Sequence, residues 1–258
     1  MKIVKIILAL IVLCSFLLLC DIFYFPISYD KLDFIQKLII NETNKKWDME
    51  IKNIPLESQS LIGEDKLINS LNFIEKGFVN RVLKINPKEL GSNGPFFSKE
   101  VPNDLIAVSD KEIKLGNVEV GISFLPQLVF DDFVEMNKQM KDDIGKELYI
   151  ESGYRSPGYQ AYFFFYYLPE NGYSLKENAK WLTLPGYSEH NSANTALDFI
   201  NQDGISGEAE NQTAEDFVGL QEYKWLESNA NKYNFYLSYP PDNPYGISFE
   251  PWHWRWEK

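Results

Sequence analysis

The chain contains only two histidines, His190 and His253, and each has an acidic residue near it. Asp198 follows His190 by eight positions, and Glu250 precedes His253 by three. Two imidazoles and one carboxylate make a three-ligand set for zinc that leaves a fourth position open. A second carboxylate beside them is the base that a hydrolytic zinc site needs. Asp198 itself lies within an apolar run, between Leu197 and Phe199. A carboxylate buried in such a strand is costly unless it is paired or bound to a metal. The two cysteines, Cys14 and Cys20, both fall in an apolar N-terminal stretch. The remainder of the chain therefore offers no thiolate nucleophile, no thiolate zinc ligand and no disulfide brace.

These residues need elements to hold them. Glu147–Glu151 alternates as a strand does and leads into Ser152-Gly153-Tyr154-Arg155-Ser156. Pro157 suits the first turn of a helix, which runs through Gln160 and the aromatic block Tyr162–Tyr167. Ala196–Ile200 is a short strand carrying Asp198, and residues 201–213 form a loop. A helix is expected from Ala214 to about Lys232, with Phe217, Leu220, Trp225 and Leu226 inward. Phe235–Tyr239 is a strand, Pro240–Gly246 a turn, and Ile247–Trp256 a final strand bearing both Glu250 and His253. Upstream, Val129, Phe133, Met136 and Met140 form one apolar stripe on a helix over Leu128–Met140.

The N-terminal third is of another kind. Residues 3–25 are almost wholly apolar, and the run without charge is about 20 residues long with its flanks, enough to cross a bilayer as a helix. Lys2 and Lys5 precede it and acidic residues follow, which places the N-terminus in the cytoplasm and the rest outside. No small-residue cleavage site follows the run. It reads as an uncleaved signal anchor; cleavage would instead release a secreted protein. Residues 26–77 form a stalk or small helical appendage, with Leu32, Ile35, Leu38 and Ile39 at helical spacing. Residues 78–258 form the globular domain. The net charge of −12 argues against a nucleic-acid partner, which calls for a basic face.

Ser152-Gly153-Tyr154-Arg155-Ser156, then Pro185-Gly186-Tyr187-Ser188-Glu189-His190 with Ala196-Leu197-Asp198 downstream, then Glu250-Pro251-Trp252-His253-Trp254-Arg255 occur in that order. Together they resemble the zinc D-alanyl-D-alanine carboxypeptidases of the vancomycin-resistance type, which group with D,D-dipeptidases and L,D-carboxypeptidases. The resemblance covers roughly residues 78–258. It implies an α+β fold: a small antiparallel sheet carrying a zinc site, flanked by helices. It implies that His190, Asp198 and His253 hold one zinc ion per chain and that Glu250 moves the proton of the attacking water. Arg155 would meet a substrate carboxylate or a developing oxyanion. Ser188 would hydrogen-bond within the site, Tyr154 and Gln160 would line the pocket, and Trp252 and Trp254 would pack around the ligand strand. The substrates implied are peptidoglycan stem peptides, cut to release a C-terminal D-alanine. L,D-carboxypeptidase, endopeptidase and inactive wall-binding readings stand beside that one.

One departure from the family pattern bears on the site. The family's aspartate comes seven residues after its histidine, with a glycine between. Here the distance is eight and no glycine intervenes. Because Ala196-Leu197-Asp198 still matches the family's strand, the extra residue is expected in the turn before it.

Overall fold

The computed structural model describes residues 26–108, 123–192 and 195–258, the short paired segments 114–115 and 118–119, and four isolated positions, 6, 7, 13 and 24. The membrane helix expected within residues 1–25 lies almost wholly outside the described residues. Among those described, no helix is long and apolar enough to cross a membrane.

The first helix, α1 (Phe34–Lys52), opens on a capping box in which Asp33 and Gln36 bond each other's backbone N–H groups, satisfying two donors the helix cannot pair internally. Its buried face is Gln36, Ile39, Ile40, Thr43, Trp47 and Ile51. Of the expected stripe, Leu32 and Ile39 are buried and Ile35 packs against the same cluster, while Leu38 is left exposed. Trp47 is fully buried and its indole donates to Leu67 O at 2.9 Å. Two shorter helices follow, α2 (Glu64–Ser70) and α3 (Phe73–Val82). Asn72 and Glu75 form a second capping box at the start of α3. The domain boundary expected at residue 78 falls inside α3, where Phe78, Val79 and Val82 are buried together.

Beyond them β1 (Leu105–Val108) pairs antiparallel with β2 (Ser123–Pro126). Helix α4 (Gln127–Ile144) buries Val129, Phe133, Met136 and Met140, the stripe seen in the sequence. It stops at Gly145, whose left-handed φ of 68° closes the last turn. Strand β3 (Leu148–Ser152) leads to helix α5 (Pro157–Tyr166), and β4 (Ala196–Asn201) follows a long connection whose helical parts are the short pieces Leu175–Asn178 and Glu189–Asn191. Where one helix was expected from Ala214 there are two, α6 (Ala214–Val218) and α7 (Gln221–Asn229). The break comes at Gly219 and Leu220, with Leu220 extended (ψ 149°) as the cap of α7. Strands β5 (Phe235–Leu237) and β6 (His253–Trp256) complete a sheet of order β3-β4-β6-β5 with every neighbour antiparallel. The final strand is shorter than expected. Pro251 has no N–H for a ladder, and the chain turns at Glu250-Pro251, with His253 N donating to Glu250 O at 3.1 Å. The protein is thus α+β, with small antiparallel sheets and helices.

Two buried clusters hold these elements. One face of the main sheet, through Ile150, Leu197, Phe199, Phe235 and Trp254, packs with α4 and with Phe217, Trp225 and Leu226. The other cluster joins α1–α3 to Ala161, Phe164 and Phe165 of α5, including an edge-on contact of Trp47 with Phe165 at 5.2 Å. The N-terminal helices are therefore folded onto the helix that follows Arg155. Contact there is close: Ser156 N donates to Ser60 O (2.8 Å) and Ser156 Oγ to Ile62 O (2.6 Å). A β-carbon added to Gly158 would fall 2.2 Å from Ile62 O, so only glycine permits this approach.

Candidate metal centre

The sheet face opposite the one packed on α4 carries the chemistry. Asp198 on β4 pairs directly with His253 on β6. On its other side Asp198 pairs with Ser152, after a register shift between Ile150 and Ser152 that leaves Glu151 as the extra residue. This bulge keeps Glu151 from lying opposite Asp198, where two like charges would repel. The ladder from β4 to β6 runs unbroken from Ala196. The additional residue between His190 and Asp198 thus falls before the strand, where Thr195 has a φ of 45° and donates its N–H to Ser192 O at 3.0 Å; Ala193 and Asn194 lie outside the described residues.

His190 comes from a single 3₁₀ turn, Glu189–Asn191, capped by Ser188, whose hydroxyl accepts from His190 N at 3.3 Å. Asn191 ties this turn to the arginine loop: its amide nitrogen donates to Arg155 O, and its amide oxygen accepts from Gly186 N. Arg155 N in turn donates to His190 O at 2.9 Å.

The imidazoles are oriented from behind. His190 Nδ1 donates to Gly153 O (2.7 Å), which turns Nε2 toward Asp198 Oδ2 (3.1 Å). His253 does the reverse. Its Nε2 donates to Glu189 Oε2 (3.0 Å), and its Nδ1 faces Asp198 Oδ1 (2.8 Å). Ser238 Oγ also donates to Glu189 Oε2, and the Tyr239 ring stacks on His253 at 4.8 Å. The donor atoms of His190, Asp198 and His253 all lie within 4.8 Å of one another, and all three residues are buried. The two imidazoles approach different oxygens of the Asp198 carboxylate, at 2.8 and 3.1 Å, and two imidazoles with one carboxylate are a donor set that zinc takes. The residues present therefore fit a zinc ion, with second partners fixing both rings as such sites require.

The electrostatics agree. Burial, with the charge of Arg155, holds His190 down at about 4, so its ring is neutral and presents a lone pair. Burial also opposes charge on His253, but its hydrogen bonds to Asp198 and Glu189 outweigh this and raise it to about 10. Without metal, a proton on Nδ1 thus occupies the direction a cation would take. Asp198 is held well below the carboxylate range although burial opposes it, because both imidazoles favour its charge.

Glu250 Oε2 lies 3.9 Å from His253 Nδ1, on the turn before β6. Burial, with the negative charges of Asp198 and Glu189 adding to it, pushes its carboxyl up to about 8 in the metal-free protein. Arg155 reaches the same cavity, its guanidinium donating to Asp198 Oδ2 (2.6 Å) and Ser152 Oγ (2.8 Å). Gln160 lines it as well, with its amide nitrogen on Thr183 O (2.9 Å), and so do Ser188 and Trp252. Tyr154 is not brought into this cavity; it is 1% exposed and faces a neighbouring one. Trp254 is buried in the core with its indole on Pro251 O.

Sequence reasoning passed over Glu189, Tyr239 and Glu208, all of which border the site or its ligands. Glu189 had a readable signal: it is an acid adjacent to one of only two histidines. Replacing it by Gln removes the charge behind His253 while keeping size. Zinc affinity is then expected to fall about 10- to 100-fold, the usual cost of losing such a partner, with the fold retained. Competition against a chelating dye measures this directly.

A family model described as D-alanyl-D-alanine carboxypeptidase, VanY, matches residues 123–258. The D-alanyl-D-alanine carboxypeptidase of Enterococcus faecalis (strain ATCC 700802 / V583) is 38% identical over 82 residues, 31% of this chain and 26% of that protein. The putative carboxypeptidase YodJ of Bacillus subtilis (strain 168) is 28% identical over 209 residues, 73% of this chain and 70% of that protein. The chain therefore spans about a quarter of the first relative's length and more than two thirds of the second's. Among solved structures, the LD-carboxypeptidase LdcB, a structure that reveals the basis of that enzyme's peptidoglycan recognition, superposes with a TM-score of 0.50 at 25% identity. The match covers 66% of this chain and 78% of that one.

Proposed function

The chain belongs to the VanY family of D-alanyl-D-alanine carboxypeptidases, and we propose that it is a zinc-dependent peptidase that removes the C-terminal D-alanine from peptidoglycan stem peptides. The observation that carries this reading is the convergence, on one cavity, of a buried His190–Asp198–His253 set, the carboxyl of Glu250 and the guanidinium of Arg155. One zinc ion held by the three ligands would supply Lewis acidity to the scissile carbonyl and acidify a water at its open position. Glu250 would serve as the base toward the attacking water and as the acid toward the leaving amine. Arg155 presents a planar guanidinium to the substrate's terminal carboxylate or to the developing oxyanion. Its bond to Ser152 fixes the plane. Ser188 holds the His190 turn, and Gln160 adds an amide to the wall.

We further propose that the apolar run within residues 1–25 anchors the chain in the membrane with the catalytic part outside, where stem peptides are found. The run's length and the preceding lysines support this reading.

The likeness to LdcB favours one second reading, release of D-alanine from a tetrapeptide across an L,D bond. Incubating the zinc-loaded protein with pentapeptide and tetrapeptide stems separates the two. The D,D reading expects the pentapeptide to lose one alanine mass while the tetrapeptide persists. Loss from the tetrapeptide alone would assign L,D specificity instead, and loss from neither would refute both.

A further inference from the structure

Beside the metal cavity lies a second cavity of about 270 Å³, which shares Arg155 and Glu208 with it. One wall comes from the turn between α1 and α2 through Ser60, and another from the end of β3 through Glu151 and Tyr154. Three polar atoms of these residues are buried without a hydrogen-bond partner: Ser60 Oγ, Glu151 Oε2 and Tyr154 Oη. Tyr154 is 1% exposed. Buried polar atoms are rarely left unpaired in a folded protein, and here three from two distant segments line one cavity. Two of them are held in place by features already described. Glu151 is the bulged residue of β3, turned out of the ladder beside Asp198. Ser60 is fixed because its carbonyl accepts from Ser156 N.

The donors and acceptors specify what would fill the cavity. A carboxylate only accepts, and each hydroxyl oxygen has lone pairs to offer. Glu208 adds a second carboxylate at the border. Among the described residues Arg155 is the one positive charge of the lining, and it is already bonded to Asp198 and Ser152. An anionic group would meet the Glu151 carboxyl, and a neutral one would bring no charged donor to its unpaired Oε2. A primary ammonium brings one positive charge and three N–H donors for three acceptors. We propose that this cavity is a subsite for a primary ammonium group of the peptide substrate, with Glu151 as its counter-charge and the hydroxyls of Ser60 and Tyr154 completing its shell. This deepens the peptidase reading and rests on it. The ammonium belongs either to the side chain of a diamino residue or to the peptide's amino terminus.

The test uses the full zinc-loaded chain and three stem pentapeptides: one with both amines free, one acetylated on the side-chain amine, one acetylated at the amino terminus. Hydrolysis is followed on the wild type, and binding is measured by calorimetry on Glu250→Gln. Acetylating the amine that occupies the cavity is expected to lower kcat/KM about tenfold or more, chiefly through KM, the scale of a hydrogen bond to a charged group. The acetylation that has this effect identifies the source. Glu151→Gln brings the ratio between free and acetylated peptide toward one, and Ser60→Ala, on a different segment, reduces it. Hydrolysis of all three peptides alike, or an unchanged ratio in Glu151→Gln, overturns the subsite and leaves the carboxypeptidase reading intact. Binding that senses acetylation without any hydrolysis overturns that reading and keeps the subsite. Neither hydrolysis nor acetylation-sensitive binding overturns both.

Discussion

Exchange of Glu250 for Gln lowers kcat by at least about 10²-fold, the scale of a positioned acid or base, while zinc content stays at the wild-type level. The substitution is chosen because it keeps the size of the side chain and its capacity for hydrogen bonds. It removes only the site that accepts a proton. Glu250 sits on the turn at Glu250-Pro251, outside the ladder, with its Oε2 3.9 Å from His253 Nδ1. That distance places it beside the ligand set without making it a member of the set. Gln cannot take up a proton, so the loss belongs to the chemical step and not to substrate affinity. Steady-state kinetics with metal analysis on the same sample decide the matter. A variant that keeps wild-type kcat, or one that loses its zinc, would remove Glu250 from the proton-transfer role.

Loss of His190 has the larger structural consequence at the site. His190→Ala takes away the one ring whose lone pair is already free, since its Nδ1 is committed to Gly153 O. Asp198 and His253 then remain as a two-ligand remnant, short of the three protein ligands of a catalytic zinc site. Zinc is expected to fall from about one ion per chain to near none after dialysis, and hydrolysis with it. Uptake by the wild type also weakens as the pH falls, because His253 must give up the Nδ1 proton that Asp198 stabilises before that nitrogen can bind a metal. Elemental analysis of the dialysed proteins checks the first point and dye competition across pH the second. Unchanged zinc in His190→Ala would refute the ligand assignment.

The local elements were legible where the pattern was dense. The stripe Val129, Phe133, Met136, Met140 fixed both the existence and the facing of α4, because four apolar residues over three turns leave one phase. Pro157 announced the start of α5 as a first-turn proline, and the structure adds Ser156 as its cap. The stripe read for α1 holds at Leu32, Ile35 and Ile39 and departs only at Leu38, which faces outward. The helix from Ala214 was drawn too long because Gly219 is tolerated within a helical pattern, and only packing decided that the chain breaks there. The final strand, expected over Ile247–Trp256, spans only His253–Trp256, because Pro251 has no N–H to give a ladder.

By itself the sequence determined which side chains were available for chemistry. A chain with two histidines, each near an acid, and no cysteine past residue 20 has few ways to build a catalytic metal site. What it could not determine was which atoms of those side chains meet, since that depends on pairings between segments far apart in the chain. The register that sets Asp198 against His253, and the bulge that puts Ser152 rather than Glu151 on its other side, are properties of the assembled sheet. The choice of Nδ1 on His253 comes from Glu189, 64 residues upstream, which claims the other nitrogen. The placement of residues 26–90 was likewise decided by tertiary structure. Their apolar faces needed a partner and found it in α5, and that packing carries Ser60 to the edge of the site. Helical spacing records that a face must be buried; it holds no information about which surface will bury it.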